Sequence, residues 1–258
     1  MLITLGIIGV VAALTLPVLT KKYQEIVLKN QFKKSYSMLS QAIVKAQSEF
    51  GSMPYCYKRT YNLVPQVCSH YNSLGVCTSS TQLDGSPVPK NQTGEIDDCP
   101  QFWPLVRKQI KIIKTCDKNS LQKGCIPQYK GRDEIAQESQ SAKPGDDDYM
   151  DDYGKQMIAN CSMWTKSQLD NTTASYVLAD GSIIISAYNG DKGSSFAYDV
   201  NGKKGPNKWG YDVFVFAIVN NAKRGQSSIT QLTAGAGHCM SAESGGKLTA
   251  DMIKLLYK

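Results

Sequence analysis

Apolar residues fill positions 1–19, MLITLGIIGVVAALTLPVL, without one charge, and the chain then passes into a segment where apolar and polar positions alternate with a helical period. At about 1.5 Å per residue the run is about 28 Å long, close to the roughly 30 Å hydrocarbon core of a bilayer. It is long enough to span a membrane. Beyond Lys21, residues Leu28, Phe32, Tyr36, Leu39, Ile43, Ala46 and Phe50 recur every three or four positions, while Lys29, Lys33, Lys34 and Lys45 fall mostly off that stripe. This spacing predicts one apolar helix face. Gly51, Ser52 and Pro54 supply a stop signal. A single helix over residues 1–50 is therefore expected, about 75 Å long, with its first part transmembrane and its second part packed on a globular head.

Strand patterns concentrate in the second half. YVLADGSIII, residues 176–185, places two β-favouring runs around Asp180 and Gly181, a hairpin signal. SFAYDV (195–200) and DVFVFAIV (212–219) form a second pair. Together they predict an antiparallel sheet of about four strands with one face on the amphipathic helix, an α+β arrangement. Residues 51–160 are rich in Pro, Gly, Ser, Asn and Tyr and read as loop, with one exception. PQFWPLVRKQIKIIKTC, from Pro100, suits a short helix, with a strand at IKIIK as the alternative. Residues 247–256 read as a short terminal helix. The chain thus divides into the helix (1–50), a loop-rich cysteine-containing region (51–160), and the sheet with the C-terminal segment (161–258).

The chain has 258 residues, 41% hydrophobic and 20% charged, and about 200 residues beyond the helix suffice for one head domain. All eight cysteines lie beyond the helix, at Cys56, Cys68, Cys77, Cys99, Cys116, Cys125, Cys161 and Cys239. An even number confined to one part of the chain reads as a disulfide framework formed in an oxidising compartment, with 105 pairings open. Short closures Cys68–Cys77 and Cys116–Cys125, and a longer tie Cys161–Cys239, are expected. A zinc site is not, because there is no CxxC pair and His70 and His238 are the only histidines. His238 beside Cys239 reads as a surface histidine next to a bridged cysteine. DDDYMDD, residues 146–152, reads as a solvated loop.

LITLGIIGVVAALTLP at residues 2–17 resembles the N-terminal segment of type IV pilins and of type II secretion pseudopilins. The resemblance carries Leu2, Ile3, Leu5, Gly6, Ile7, Ile8, Gly9, Val10, Val11, Leu14 and Pro17 as residues of an assembly and membrane helix. In the family a basic leader, a peptidase site and a glutamate precede this point, so translation from an upstream start is expected, with Met1 at a GTG codon read internally as valine. Subunits of this family stack their N-terminal helices in a filament core and leave the heads outside. The partners so implied are other pilin or pseudopilin subunits, the inner membrane, and a prepilin peptidase with its N-terminal methylation and assembly machinery. The implied location is the bacterial inner membrane, single-pass, with the head on the extracytoplasmic side or in an extracellular filament.

DVNGKKGPNKWGYDVF, residues 199–214, looks like the DxNGxKGPNxxGxD loop of pseudopilin-like proteins. Asp199, Asn201, Asn207 and Asp212 bring hard oxygen donors into one loop, the ligand type that Ca²⁺ takes, and major pseudopilins bind Ca²⁺ in a comparable loop. The other reading is a hairpin turn held by Asn and Asp side chains, and Lys203, Lys204 and Lys208 place positive charge nearby. No cofactor is required, and Ca²⁺ is the one ion this loop could take. The formal charge of +7 raises nucleic acid, but the lysines are dispersed and no recognition motif is present, so DNA is not an expected partner. No GxSxG, HExxH, P-loop or Rossmann fingerprint occurs, and no enzymatic activity is expected. The expectation is a structural filament subunit. The alternative is an exported disulfide-rich enzyme or binding protein with an N-terminal signal or anchor.

Overall fold

A helix of 49 residues, α1 (Leu2–Phe50), opens the chain and runs about 74 Å, unbroken through Pro17. The computed structural model describes residues 2–51, 66–71, 77–82, 84–87, 99–146, 149, 163–186, 195–220, 230–235 and 242–257. Among the described residues no helix is long and apolar enough to cross a membrane. The side chains of the expected membrane and assembly residues, Leu2 to Leu14 as named and Pro17, lie outside the described ones; their backbone is helical.

The second half of α1 is held by the face that its periodicity marks. Phe32, Ser35, Leu39, Ala42, Ile43 and Ala46 are buried, with Leu28, Tyr36 and Phe50 packed at the margin. Their partners are α2 (Cys99–Lys108) and a six-stranded sheet. The Phe32 ring meets Phe214 edge-on at 4.7 Å and Phe216 at 5.8 Å. Each aromatic buried this way contributes on the order of 1.5–3 kcal/mol of transfer free energy. Polar contacts also cross the interface: the Tyr198 hydroxyl bonds Ser182 at 2.6 Å and also Ser35, and the Tyr36 hydroxyl donates to the Leu232 carbonyl at 3.2 Å.

The sheet is an antiparallel meander in the order β3 (Ile112–Cys116), β4 (Ser175–Leu178), β5 (Ile183–Ser186), β6 (Ser195–Asp199), β7 (Val213–Asn220) and β8 (Thr230–Ala234). The hairpin at Asp180 and Gly181 and the two later strands stand where the sequence put them. The sheet has two more strands than expected, β3 and β8 at its edges. The segment from Pro100 resolves into both alternatives in turn, a helix over its aromatic part and the strand β3 over IIKTC.

Both faces of the sheet are covered, where the sequence suggested one. Ile184, Phe196, Tyr198, Phe214, Phe216 and Ile218 point to α1 and α2, and the alternating Ile183, Ile185, Ala197, Val213 and Val215 form a second core with Ile126, Tyr129, Ile135, Trp164, Leu169 and Trp209. Apart from Trp209, which comes from the β6–β7 loop, that second layer comes from the long connection between β3 and β4, which carries α3 (Arg132–Ser141) and a π-helical turn (Gln168–Thr172). A separate hairpin pairs β1 (Gln66–Tyr71) with β2 (Cys77–Gln82), and α4 (Thr249–Lys254) ends the chain.

Candidate functional site

The loop from β6 to β7 is built on two carboxylates at its ends. Asp199, the last residue of β6, and Asp212, just before β7, are both fully buried. Asp199 Oδ1 accepts the N–H groups of Asn201 (3.1 Å) and Gly202 (2.6 Å), and its Oδ2 accepts the Tyr129 hydroxyl (2.6 Å). Asp212 accepts the N–H groups of Asn207 (2.7 Å, Oδ2) and Lys208 (2.8 Å, Oδ1). The ends are tied by the Val200 N–H on the Asp212 carbonyl, 2.9 Å. Side chains here take over the backbone pairing that a tight hairpin would have supplied.

Two backbone positions make the path feasible. Gly202 has φ +61, and a Cβ there would collide with the Gly181 carbonyl oxygen in the neighbouring hairpin. Asn207 has φ 58, the left-handed region that Asn tolerates better than most side chains, and it follows a cis peptide at Gly205–Pro206.

Burial pushes the Asp199 carboxyl up to about 7, with the nearby Asp212 charge adding to the shift against the hydrogen bonds from Tyr129, Asn201 and Gly202. Burial also raises Asp212, against the N–H groups of Asn207 and Lys208. Two carboxylates that resist ionisation together invite a cation. The Asn201 and Asn207 Oδ1 atoms are buried in the same loop with no hydrogen-bond partner, although Asn201 Nδ2 donates to the Gly205 carbonyl at 2.6 Å. A buried unpaired acceptor costs on the order of 1–3 kcal/mol. Two carboxylates and two orphaned amide oxygens are hard donors that fit Ca²⁺. Among the described residues no cluster of three or more His, Cys, Asp or Glu gathers, so a cation here would depend on the Asn oxygens.

Of the four loop residues named from the sequence, the two carboxylates organise the turn, as its hairpin reading expects, and the two amide oxygens are left without a hydrogen-bond partner. Residues from distant segments complete the setting. The Trp209 indole lies 5.7 Å from Trp164, and the Arg132 guanidinium sits 4.5 Å over its ring. Trp209 Nε1 donates to the Lys130 carbonyl (2.9 Å), and its N–H donates to Glu243 (2.9 Å). Tyr129, Arg132 and Glu243 had no local signal, because each is an isolated polar or aromatic residue whose role depends on the tertiary fold.

Of the cysteines, Cys116 and Cys125 are bridged as expected, with Cα atoms 6.4 Å apart. The Cys68–Cys77 closure meets a different geometry. Cys68 stands opposite Ser80 and Cys77 opposite Tyr71, a separation of about 10 Å along the ladder, longer than a disulfide spans between Cα atoms. Cys99 begins α2, and no free cysteine occurs among the described residues. Cys56, Cys161 and Cys239, with His238 and most of the acidic stretch 146–152, lie outside the described residues, while Asp146 itself is exposed.

The chain matches no known family model, no curated protein and no solved structure.

Proposed function

We propose that this chain is a structural subunit of a pilin-like or pseudopilin-like filament, anchored and assembled through α1, with a head stabilised by disulfides and by Ca²⁺ held in the β6–β7 loop. The observation that carries this reading is the exposed stretch of α1 from Leu19 to Ile26. The buried face of the helix begins at about Leu28, and before it Leu19, Tyr23 and Ile26 are 65%, 67% and 59% exposed. Positions 19, 23 and 26 share one helix face, continuous with the apolar run of residues 2–18. An apolar stripe on a projecting helix calls for a cover, and neighbouring helices of further copies, or lipid, supply it.

The resemblance of residues 2–17 and 199–212 to the pilin and pseudopilin segments supports the same reading, and so does a bridged cysteine pair in the head. At the loop, Asp199, Asp212, Asn201 and Asn207 would hold Ca²⁺, which would offset the charge of the two carboxylates. No step of catalysis is assigned to the chain, and its inner-membrane location with an extracytoplasmic head belongs to this proposal. The test is fractionation of cells expressing the full chain. The protein is expected in membranes resistant to alkaline extraction, and Gly9→Arg combined with Val11→Arg is expected to release it. Full-length protein recovered from the wash would refute the anchor.

A further inference from the structure

A groove of about 840 Å³ runs between α1 residues 23–31, the β6–β7 loop and the segment before α4. Its charge is one-sided. Lys29, Lys204, Lys208 and Lys247 line it and are all exposed, and Glu25 is the one carboxylate among its lining residues. Exposed Tyr23 and Ile26 add an aromatic and an apolar side chain at its α1 wall.

We infer that this groove is a docking surface for the headgroups of anionic phospholipids, so that the head sits on the membrane rather than standing free of it. The inference rests on the anchor reading above. Residues 23–31 lie four to twelve positions past Leu19, about 6–18 Å along the helix axis. The headgroup layer is about 5–8 Å thick on each side of the hydrocarbon core. The near end of the groove therefore stands at headgroup level, and Lys29, about 15 Å past Leu19 along the axis, lies roughly one Debye length, about 8 Å, from the charged surface. Lysines at that height gain from an anionic surface, and Tyr23 is the residue type that settles at such an interface. Charge complementarity favours lipid phosphate over a second copy of the chain, whose own groove carries the same positive sign.

The test uses the full chain in nanodiscs of phosphatidylcholine alone or mixed with phosphatidylglycerol, at constant calcium, with amide exchange followed at residues 2–19, 204–211 and 245–247. Exchange at the two loop segments is expected to slow in the anionic discs by roughly fivefold or more, the effect of one lysine held at an anionic surface. That slowing is expected to vanish in the triple variant Lys204→Gln, Lys208→Gln, Lys247→Gln, and at about 1 M salt, where the Debye length shrinks to about 3 Å. Equal loop exchange in both discs, with residues 2–19 protected in both, would overturn the lipid site and leave the anchor standing. Residues 2–19 unprotected in both would overturn the anchor and the lipid site together. Slowing that is the same without phosphatidylglycerol and grows with the number of chains per disc would assign the groove to a second copy and overturn the proposal.

Discussion

Asp199 and Asp212 meet at the foot of one loop with no solvent at either, and the raised Asp199 carboxyl gives the head a pH-dependent stability. In the folded chain Asp199 keeps its proton up to about 7, whereas an unfolded Asp loses it near 3.9. The folded state thus binds more protons between those values. Its stability falls as pH rises through that window, by a few kcal/mol at most, in calcium-free buffer. Because Ca²⁺ needs the ionised carboxylates, its stabilising effect is expected to be larger at about pH 8 than at about pH 5. With calcium about 100-fold above its Kd the gain is about 2.7 kcal/mol, or roughly 5–10 °C in the melting temperature. Calorimetry on the wild type and on Asp199→Ala checks both points: the variant is expected to lose the calcium shift, and no shift in the wild type at millimolar calcium would remove Ca²⁺ from the account. Gly202→Ala probes the turn itself. The left-handed backbone alone costs about 1–3 kcal/mol for a non-glycine residue, and the contact with the Gly181 carbonyl adds to it, so a denaturant titration is expected to show at least that loss.

The contact of α1 with the sheet concentrates on few side chains. Phe32→Ala removes a fully buried ring that touches Phe214 and Phe216, and a loss of about 3–5 kcal/mol is expected from chemical denaturation. Opening the Cys116–Cys125 bridge, which closes a loop of sequence separation 9, is expected to cost about 2–3 kcal/mol on the chain-entropy account, measured as the shift between oxidised protein and a Cys116→Ser, Cys125→Ser variant. Elements differ in how plainly the sequence announced them. The stripe of α1 and the runs of β4 to β7 are apolar with the right period, and they fold as that period says. Helix α3, RDEIAQESQS, buries Arg132, Ile135 and Ser139, so its inner face is two-thirds polar and carries no hydrophobic rhythm. Hairpin β1–β2, QVCSHY with CTSSTQ, is likewise mostly polar. The second sheet face is covered by Tyr129, Trp164 and Trp209, single aromatics from distant loops that no window of sequence joins.

At the scale of the whole chain, a covered head and an uncovered helix are parts with different needs. The head closes on itself, with cores on both faces of the sheet and no free cysteine among the described residues. Leu19, Tyr23 and Ile26 of α1 lie outside that closure, and in the filament proposed above lipid or other chains bury them. The loop residues Asp199, Asn201, Asn207 and Asp212 were readable as one group because they lie within fourteen consecutive positions, 199–212. Their supports at Tyr129 and Glu243 were not, since the fold alone brings them near. The account turns on self-assembly through α1, and a photocrosslinking amino acid placed at Leu19, outside the groove, of the full chain in membranes tests it most directly. Covalent ladders of the chain, with adducts mapping to α1 of the neighbouring copy, are predicted; adducts to lipid alone, with the chain monomeric at every protein density, would contradict it.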